Sequence, residues 1–426
     1  MTGLIKHKSN IAQVGFNLRE LTLNYKAYPR DIRAFLLNVI VSSLGAGVYE
    51  VLISLYLISL GYSETFIGLI FSTGTIALGL FAIPAGIISD KIGRKFSFIL
   101  SRVCMSISLF LLISTVNPVM IFINIALFNV SQVFYMVSAA PFIADVVPEQ
   151  DRVRVSSVVF FSSFVAITIG NFLSSILPLF YSKIFRLSQD SSGALRFGLY
   201  FYVLLLIISL FSFLRMKGSS SQKIPSVSEV LSMDNINIRN FSFLKSVIKI
   251  IVAATIVNFG ASFILPFFPI YFKSRFNAGT QYIGLLFSLS NIPLAFASLL
   301  SNKIVKRFGM SKGIAFCQFF GAPFSLIIGL PFGLYFSSFA FVLRKVFLNF
   351  YGPVWDNFFM SLVRKEDRGK ALAFINSSVS IISGIGTAIA GYFYKESLYI
   401  YPFLIAMIST LIAASIYYTY KKNRSL

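Results

Sequence analysis

The chain has 426 residues, of which 56% are apolar and only 12% charged, and its mean hydropathy of +0.80 excludes an ordinary water-soluble protein of this length. Its net charge of +22 would suit a nucleic-acid-binding protein, but the sequence contains no basic soluble domain with interleaved aromatic residues. The composition therefore predicts a membrane protein and no nucleic-acid partner.

The apolar residues are grouped into runs that are long enough to cross a bilayer as helices, which takes roughly 20 residues each. Residues 1–33 come first; they are polar and basic, which argues against a cleavable signal peptide and for a cytoplasmic N-terminal segment. Twelve spans are then predicted, at 34–59, 65–88, 97–115, 119–146, 156–181, 196–214, 247–272, 280–301, 313–331, 335–362, 371–393 and 398–420. They form two groups of six, 34–214 and 247–420, separated by a Ser-rich cytoplasmic linker at 215–246 and followed by a cytoplasmic tail at 421–426.

The basic residues indicate how the chain is oriented. With the N-terminus inside, 29 of the 37 Lys and Arg lie in cytoplasmic segments or helix ends, as the positive-inside rule requires. We therefore expect a multi-pass protein of the cell membrane with both termini cytoplasmic, in contact with anionic lipid head groups. Cys104 and Cys317 lie in separate apolar spans and the chain has one His, so neither a structural disulfide, a metal site nor a cofactor is expected.

The two groups of spans repeat one another. The hexapeptide IGLIFS at 67–72 returns as IGLLFS at 283–288, and Gly93 falls on Gly309 at the same offset. An offset of about half the chain predicts two homologous halves in series.

A basic loop, GIISDKIGRK at 86–95, joins predicted spans 2 and 3. Its glycines permit a tight turn, and Asp90 would be stabilised beside the N-terminal end of a helix. The copy in the second half, NKIVKRFGMSK at 302–312, has Lys306 where Asp90 would stand, so a symmetric contact there is not expected.

With six plus six spans and a long central loop, the chain resembles the major facilitator superfamily. The superfamily's signature for this loop, G-x-x-x-D-[RK]-x-G-[RK]-[RK], is matched at Gly86, Asp90, Lys91, Gly93, Arg94 and Lys95. The resemblance implies an all-α membrane fold of two homologous six-helix bundles and transport by alternating access around a mid-membrane site. It also implies that the loop is a cytoplasmic gate that stabilises the outward-facing state; a simple positive-inside anchor is the alternative.

Four charged residues lie inside predicted spans, where an unpaired charge is costly: Glu50, Arg344, Lys345 and Asp356. Glu50 shares its helix face with small and hydroxylated residues, and burial there would favour its protonated form at neutral pH. It is therefore the first candidate for proton coupling and Asp356 the second. A carboxylate paired permanently with a basic or hydroxyl group is the alternative.

Polar residues on predicted spans 1, 4, 7 and 10 are the candidates for a substrate cavity, because these helices line the cavity in the family that the chain resembles. They are Asn38, Tyr49, Asn129, Gln132, Asn258, Arg344, Lys345, Asn349 and Trp355. Pro353 is expected to kink span 10. Snorkelling of the basic side chains and interhelical hydrogen bonding of the amides are the alternatives.

The expected function is proton-coupled efflux of a small organic solute by a monomeric secondary transporter. Uptake of a metabolite by proton symport or facilitated diffusion is the runner-up, and a non-transporting receptor or scaffold is the alternative of another class. Gly170-Asn171 stands where many drug/proton antiporters have Gly-Pro, which disfavours that branch. No Walker motif, HExxH or GxSxG appears in a membrane segment, so neither ATP-driven transport nor an enzyme is expected.

Overall fold

A computed structural model describes residues 28–216, 244–349, 355, 358–363 and 368–420, without the side chains of residues 153, 244–246, 294–306 and 368–370. These residues form helices joined by short turns, with no strand among them. Most of the predicted N-terminal segment, the linker and the tail lie outside the described residues, as do Pro353 and the second proton-coupling candidate, Asp356.

The helices follow the order of the predicted spans. The first half contains α1 (Arg30–Ser59), α2 (Glu64–Ile92), α3 (Arg94–Ser114), α4 (Pro118–Val146), α5 (Glu149–Phe185) and α6 (Ser192–Leu214), and the second contains α7 (Leu244–Ser262), α8 (Phe268–Phe276), α9 (Thr280–Phe308), α10 (Met310–Gly329), α11 (Leu334–Asn349), α12 (Arg368–Lys395) and α13 (Ile400–Thr419). Within the described residues, nine helices are long and apolar enough to cross a bilayer. The predicted all-α membrane fold is confirmed.

Local residues explain where several helices begin and end. Ser63 Oγ accepts a hydrogen bond from the Phe66 amide at the start of α2, and Asn117 Oδ1 accepts one from the Val119 amide at the start of α4. Gly93, between α2 and α3, and Gly309, between α9 and α10, have φ of 83° and 79°, a conformation that disfavours residues with a side chain. The repeated glycine therefore permits the same tight connection in both halves.

Predicted span 7 is interrupted, which corrects the expectation of one continuous helix over 247–272. α7 ends at Ser262 and α8 begins at Phe268, with a turn over 263–267. Pro266 lies in that turn and Pro269 in the first turn of α8. Because proline has no amide hydrogen and clashes with the preceding turn, two prolines three residues apart break the helix here.

The internal repeat is visible in one pair of contacts. In the first half the Tyr56 hydroxyl donates to the Ile113 backbone oxygen, and in the second the Tyr271 hydroxyl donates to that of Ile328. Both tyrosines are fully buried, and donor and acceptor are 57 residues apart in each case. The hydrogen bond satisfies a buried polar group and ties equivalent elements together in each bundle.

The bundles contact each other through two helix pairs with small residues at the contact. Where α2 meets α12, the Ser377 hydroxyl donates to the Gly79 oxygen at 2.7 Å, and a Cβ at Gly79 would lie 2.9 Å from the Ser377 oxygen. Where α5 meets α9, the Ser288 hydroxyl donates to the Thr168 oxygen at 3.1 Å, and Gly284 packs against Ser175. Small residues let the helix backbones approach closely, as in membrane helix pairs generally.

One end of the molecule carries a further link between the bundles. Asp190, in the turn between α5 and α6, forms an ion pair with Lys273 of α8 and accepts a hydrogen bond from the Thr280 hydroxyl of α9 at 2.7 Å. We call this end the Asp190 end and the opposite one, which carries the turns at Gly93 and Gly309, the Gly93 end. The Asp190 end is therefore where loop residues of the first bundle are bonded to the second.

Candidate functional site

Two opposite charges, one from each bundle, interact electrostatically across the space between α1 and α11, which we call the gap. Glu50 is contributed by α1 and Lys345 by α11. The Glu50 carboxylate acts electrostatically on the Lys345 ammonium group, but the two described side chains form no direct ion pair. A solute or a proton between the bundles could therefore interact with either charge without first breaking a salt bridge.

Lys345 is held in place by a hydroxyl and two aromatic rings. Its Nζ donates to Ser290 Oγ at 3.1 Å and lies 5.5 Å from the ring centre of Phe287 and 5.9 Å from that of Phe341. Contacts of this kind stabilise an ammonium group outside bulk water. The positive charge at this position is therefore partly compensated by the second bundle itself.

Glu50 is exposed, which corrects the expectation that it is buried against its helix neighbours. Its protein neighbour is Asn171 of α5, which is fully buried. When the Asn171 amide is oriented so that its nitrogen faces the two nearby acceptors, Nδ2 donates to the Gly47 oxygen at 2.7 Å and to Glu50 Oε2 at 3.3 Å. Asn171 thus orients a carboxylate that remains accessible.

Sequence reasoning missed Asn171 as a site residue. The available indication was its position after Gly170, where many antiporters of the family have proline. A Cβ at Gly170 would lie 2.0 Å from the Leu44 oxygen, so α5 packs very closely on α1 at this point. That close packing brings the next residue, Asn171, within reach of Glu50.

The candidates Tyr49, Asn129 and Gln132 are partly buried along α1 and α4. The Tyr49 ring stacks on Phe128 with centroids 5.2 Å apart. Asn129 Nδ2 donates to the Ile125 oxygen of its own helix at 2.9 Å and packs where a Cβ of Gly74 would be. Tyr49 is next to Glu50 in sequence, and Asn129 and Gln132 lie on α4. All three remain candidates for solute contact.

The candidates Asn258 and Asn349 are exposed, on α7 and α11. Each donates to a backbone oxygen one turn earlier in its own helix, at 2.8 Å. Within the part of the chain that the structure describes, neither amide bonds to another helix, and both remain candidates for solute contact.

Asn38 lies inside the first bundle and not at the gap, which corrects its assignment to the substrate cavity. It is fully buried; its Nδ2 donates to the Ser209 oxygen at 3.0 Å, and its Oδ1 accepts from Arg102 at 2.9 Å. Arg102, on α3, is only 3% exposed and also donates to Ser42 Oγ at 3.2 Å, while its guanidinium lies 4.3 Å from the Tyr135 ring centre. No carboxylate among the described residues pairs with it. Sequence reasoning overlooked this buried cation, although Arg102 lies within predicted span 3.

Arg344 packs inside its bundle, which corrects its assignment to the cavity, whereas Trp355 is partly buried and remains a candidate. Arg344 is 5% exposed; its Nε donates to Ser325 Oγ at 2.9 Å, and its guanidinium lies 5.5 Å from the Phe268 ring centre. The indole of Trp355 donates to the Tyr417 hydroxyl at 2.8 Å and stacks on Phe359. Lys345, the neighbour of Arg344 on α11, interacts with Glu50.

Replacing Asn38 with leucine is expected to destabilise the first bundle by about 2–3 kcal/mol, because it leaves the buried Arg102 charge without its nearest acceptor. The apparent melting temperature of the purified protein in detergent measures this. Asn258→Leu is the matched control, since that exposed amide bonds only within its own helix and its loss should change stability by less than about 0.5 kcal/mol. Equal losses in the two variants would contradict the structural role of Asn38.

The basic loop after α2 has a defined geometry at the Gly93 end. Asp90 is 68% exposed and forms an ion pair with Arg94 at 2.6 Å, and Arg94 also donates to Ser89 Oγ at 3.0 Å. Lys95 donates to the Met216 oxygen at the end of the first bundle. Among the described residues Asp90 forms no ion pair with the second bundle. The gate role of this motif stays a prediction, and Gly86 and Lys91 lie on the last turns of α2.

Comparisons with known proteins agree with this architecture. Residues 35–250 and again 250–425 match the sequence profile described as Major Facilitator Superfamily. An uncharacterised MFS-type transporter of Methanocaldococcus jannaschii is 22% identical over 288 residues, which cover 66% of this chain and 69% of that protein.

Solved structures share the fold at low sequence identity. A bacterial homologue of the human lysosomal transporter Spinster, in an inward-facing and occupied conformation, has a TM-score of 0.70 at 14% identity, over 93% of this chain and 96% of that one. The nucleoside transporter NupG has a TM-score of 0.69 at 15% identity, over 91% and 99%. A D-xylose-proton symporter has a TM-score of 0.65 at 15% identity, over 91% and 97%. The predicted family resemblance is thereby confirmed.

Proposed function

Because this chain belongs to the major facilitator superfamily, it is a membrane-spanning transporter and not an enzyme, and we propose that it exchanges protons for a small ionisable organic solute. The observation that carries the proposal is the pair formed by Glu50 and Lys345, which belong to different bundles and interact without a direct ion pair. Transport by alternating access requires a site whose contacts with both bundles change as the bundles rock. A pair of charges that spans the two bundles meets this requirement.

Glu50 is the group to which we assign the proton. Its carboxylate is exposed and has Asn171 as its hydrogen-bonding neighbour, whereas Lys345 is already partly compensated by Ser290 and two rings. A proton and a cationic group of a solute would therefore compete for the same carboxylate. Competition for one site is the simplest physical basis for antiport, because binding of one ligand releases the other.

The orientation of the chain gives this exchange its direction. The Asp190 end is held together by ion-pair and hydrogen-bond contacts between the bundles, while the Gly93 end carries the exposed Asp90. By the positive-inside rule the Gly93 end, with both termini, faces the cytoplasm of a cell membrane. In a protein with this orientation, an inward proton gradient would drive efflux of the solute from a monomer that contains both bundles.

A second candidate follows from Lys345. Protonation of Glu50 would leave the Lys345 ammonium without the negative charge of that carboxylate, and Lys345 would then attract a carboxylate of the solute. In that case proton and solute bind together, and the protein would be a symporter that takes up an anionic metabolite. The charge of the transported solute therefore distinguishes the two mechanisms.

Everted membrane vesicles with an acid interior would separate these mechanisms. We expect them to accumulate an aromatic amine but not an aromatic carboxylate of the same size, and we expect a protonophore to abolish the accumulation. Vesicles without the protein and vesicles with the Glu50→Gln variant are the controls. Exclusion of the amine, together with carboxylate release that depends on the pH gradient, would overturn antiport in favour of symport.

A further inference from the structure

The second bundle carries an apolar groove on its outer face, between α10 and α13, away from the gap between the bundles. It encloses about 630 Å³. Most of its lining residues are aromatic or aliphatic, among them Phe308, Phe316, Phe319, Phe320, Ala315 and Ala414. Phe319 is 61% exposed and Phe320 48%, so these rings lie open to whatever surrounds the helices.

Two cations stand at the Gly93 end of this groove. Lys312, in the first turn of α10, belongs to its lining, and its Nζ lies 5.6 Å from the Tyr418 ring centre. The Arg307 guanidinium lies 5.5 Å from the ring centre of Phe308, another lining residue. Both basic side chains are exposed, and no carboxylate among the described residues pairs with either of them.

The equivalent cations of the first half are used differently. There Arg94 is paired with Asp90 and Lys95 donates to a backbone oxygen of its own bundle. In the second half the segment NKIVKRFGMSK contains no acid, because Lys306 stands at the position of Asp90. The second loop has thus kept its positive charge without the carboxylate that compensates it in the first.

The dimensions of the groove match a lipid placed along a helix. Seven residues separate Lys312 from Phe319, so at 1.5 Å per residue Phe319 lies roughly 10 Å deeper along α10. A phosphate group at Lys312 and Arg307 would therefore place an acyl chain against Phe316, Phe319 and Phe320. In a membrane-spanning protein such a surface is already bathed in lipid, and the unpaired cations add a preference for an anionic head group.

We propose that this groove binds an anionic phospholipid, with its phosphate at Lys312 and Arg307 and an acyl chain on the phenylalanines. The site is separate from the gap that contains Glu50 and Lys345, so it does not depend on the solute or on proton coupling. The decayed loop motif of the second half is then a lipid-binding element and not a second gate.

Site-specific fluorescence quenching by brominated lipids tests this proposal. Phe319→Trp puts a reporter in the groove, and the signal of the single native tryptophan, Trp355, is measured in the unsubstituted protein and subtracted. The protein is reconstituted in phosphatidylcholine with increasing mole fractions of brominated phosphatidylglycerol or brominated phosphatidylcholine. We expect quenching by brominated phosphatidylglycerol to saturate. Its apparent affinity for the groove should be at least about fivefold higher than that of phosphatidylcholine, which is the gain expected from one cation near an anionic head group.

Two controls make the result specific. In the Phe319→Trp background, replacing Lys312 and Arg307 with glutamine should remove the preference for phosphatidylglycerol. A reporter at Leu204→Trp, a residue of α6 that is 52% exposed, should show no preference in any background. Size-exclusion chromatography before reconstitution shows that each variant is folded. Equal, non-saturating quenching by both lipids at Phe319→Trp, or a preference that survives loss of both cations, would overturn the proposal.

Discussion

Replacing Glu50 with glutamine is expected to abolish solute-driven proton movement and to weaken binding of a cationic solute by about ten- to a hundredfold. Glutamine keeps the shape of the side chain and a hydrogen-bond acceptor for Asn171, but it can neither bind a proton nor pair with a cation. The magnitude corresponds to the loss of one charge-assisted contact, about 1.5–3 kcal/mol. A pH-sensitive dye trapped in liposomes measures proton movement, and isothermal titration in detergent measures binding.

Asp145→Asn is the matched control for this experiment. Asp145 is an exposed carboxylate near the end of α4, so its neutralisation changes the net charge equally without touching the gap. We expect it to leave both readouts unchanged. If solute-driven proton movement survives in Glu50→Gln, the coupling role passes to another carboxylate, and Asp356 is the next to be replaced.

Replacing Asp190 with asparagine is expected to loosen the Asp190 end. The substitution removes the ion pair to Lys273 and the negative charge that strengthens the hydrogen bond from Thr280. Both contacts join a loop of the first bundle to the second bundle at this end. Because both side chains of the ion pair are about one-third exposed, solvent screens it, and we expect a cost of about 1–2 kcal/mol. The ratio of closed to open molecules at this end should therefore fall roughly five- to thirtyfold.

The distance between spin labels across this end measures the change. Ser188 of the first bundle and Tyr401 of the second are exposed positions for cysteine labels, once Cys104 and Cys317 have been replaced by alanine. We expect Asp190→Asn to shift the distribution to longer distances. Glu396→Gln is the matched control, since Glu396 lies at the same end and its one ion pair within the described ranges is with its neighbour Lys395. An unchanged distribution in Asp190→Asn would show that the helix contacts suffice to keep this end closed.

The same contact has a defined pH dependence. Burial would raise the pKa of Asp190. The hydrogen bonds from Lys273 and Thr280 and the positive charge of Lys273 outweigh the effect of burial and hold this pKa below its ordinary value. A lowered pKa means that the contact stabilises the closed Asp190 end above the ordinary aspartate pKa of about 3.9 and that this stabilisation is lost as the pH falls through the lowered pKa. Spin-label distances should therefore stay constant from neutral pH down to about pH 5 and lengthen only in stronger acid.

The membrane architecture was predictable because it depends on properties that are local in the sequence. Each span needs an apolar run of sufficient length, and the tight turns need glycine at Gly93 and Gly309, where φ is positive. The repeat with its offset of about 216 residues indicated two similar bundles, and the equivalent bonds of Tyr56 and Tyr271 show the same repeat in the structure. The interruption of span 7 was also present in the sequence, as Pro266 and Pro269, but the strong hydropathy of the run concealed it.

What the amino-acid order established was the class of protein, its all-helical membrane fold and the short set of intramembrane charges, because hydrophobicity and charge act on each residue separately. The partner of each charge was decided only when the helices packed. Arg344 and Lys345 are adjacent, yet one packs in its bundle and the other interacts with Glu50, because neighbours on a helix point about 100° apart. Asn38 pairs with Arg102, Asn171 with Glu50 and Asp190 with Lys273 over 64 to 121 residues of chain. Such distant pairs depend on which helix faces touch, and that is a property of the tertiary structure.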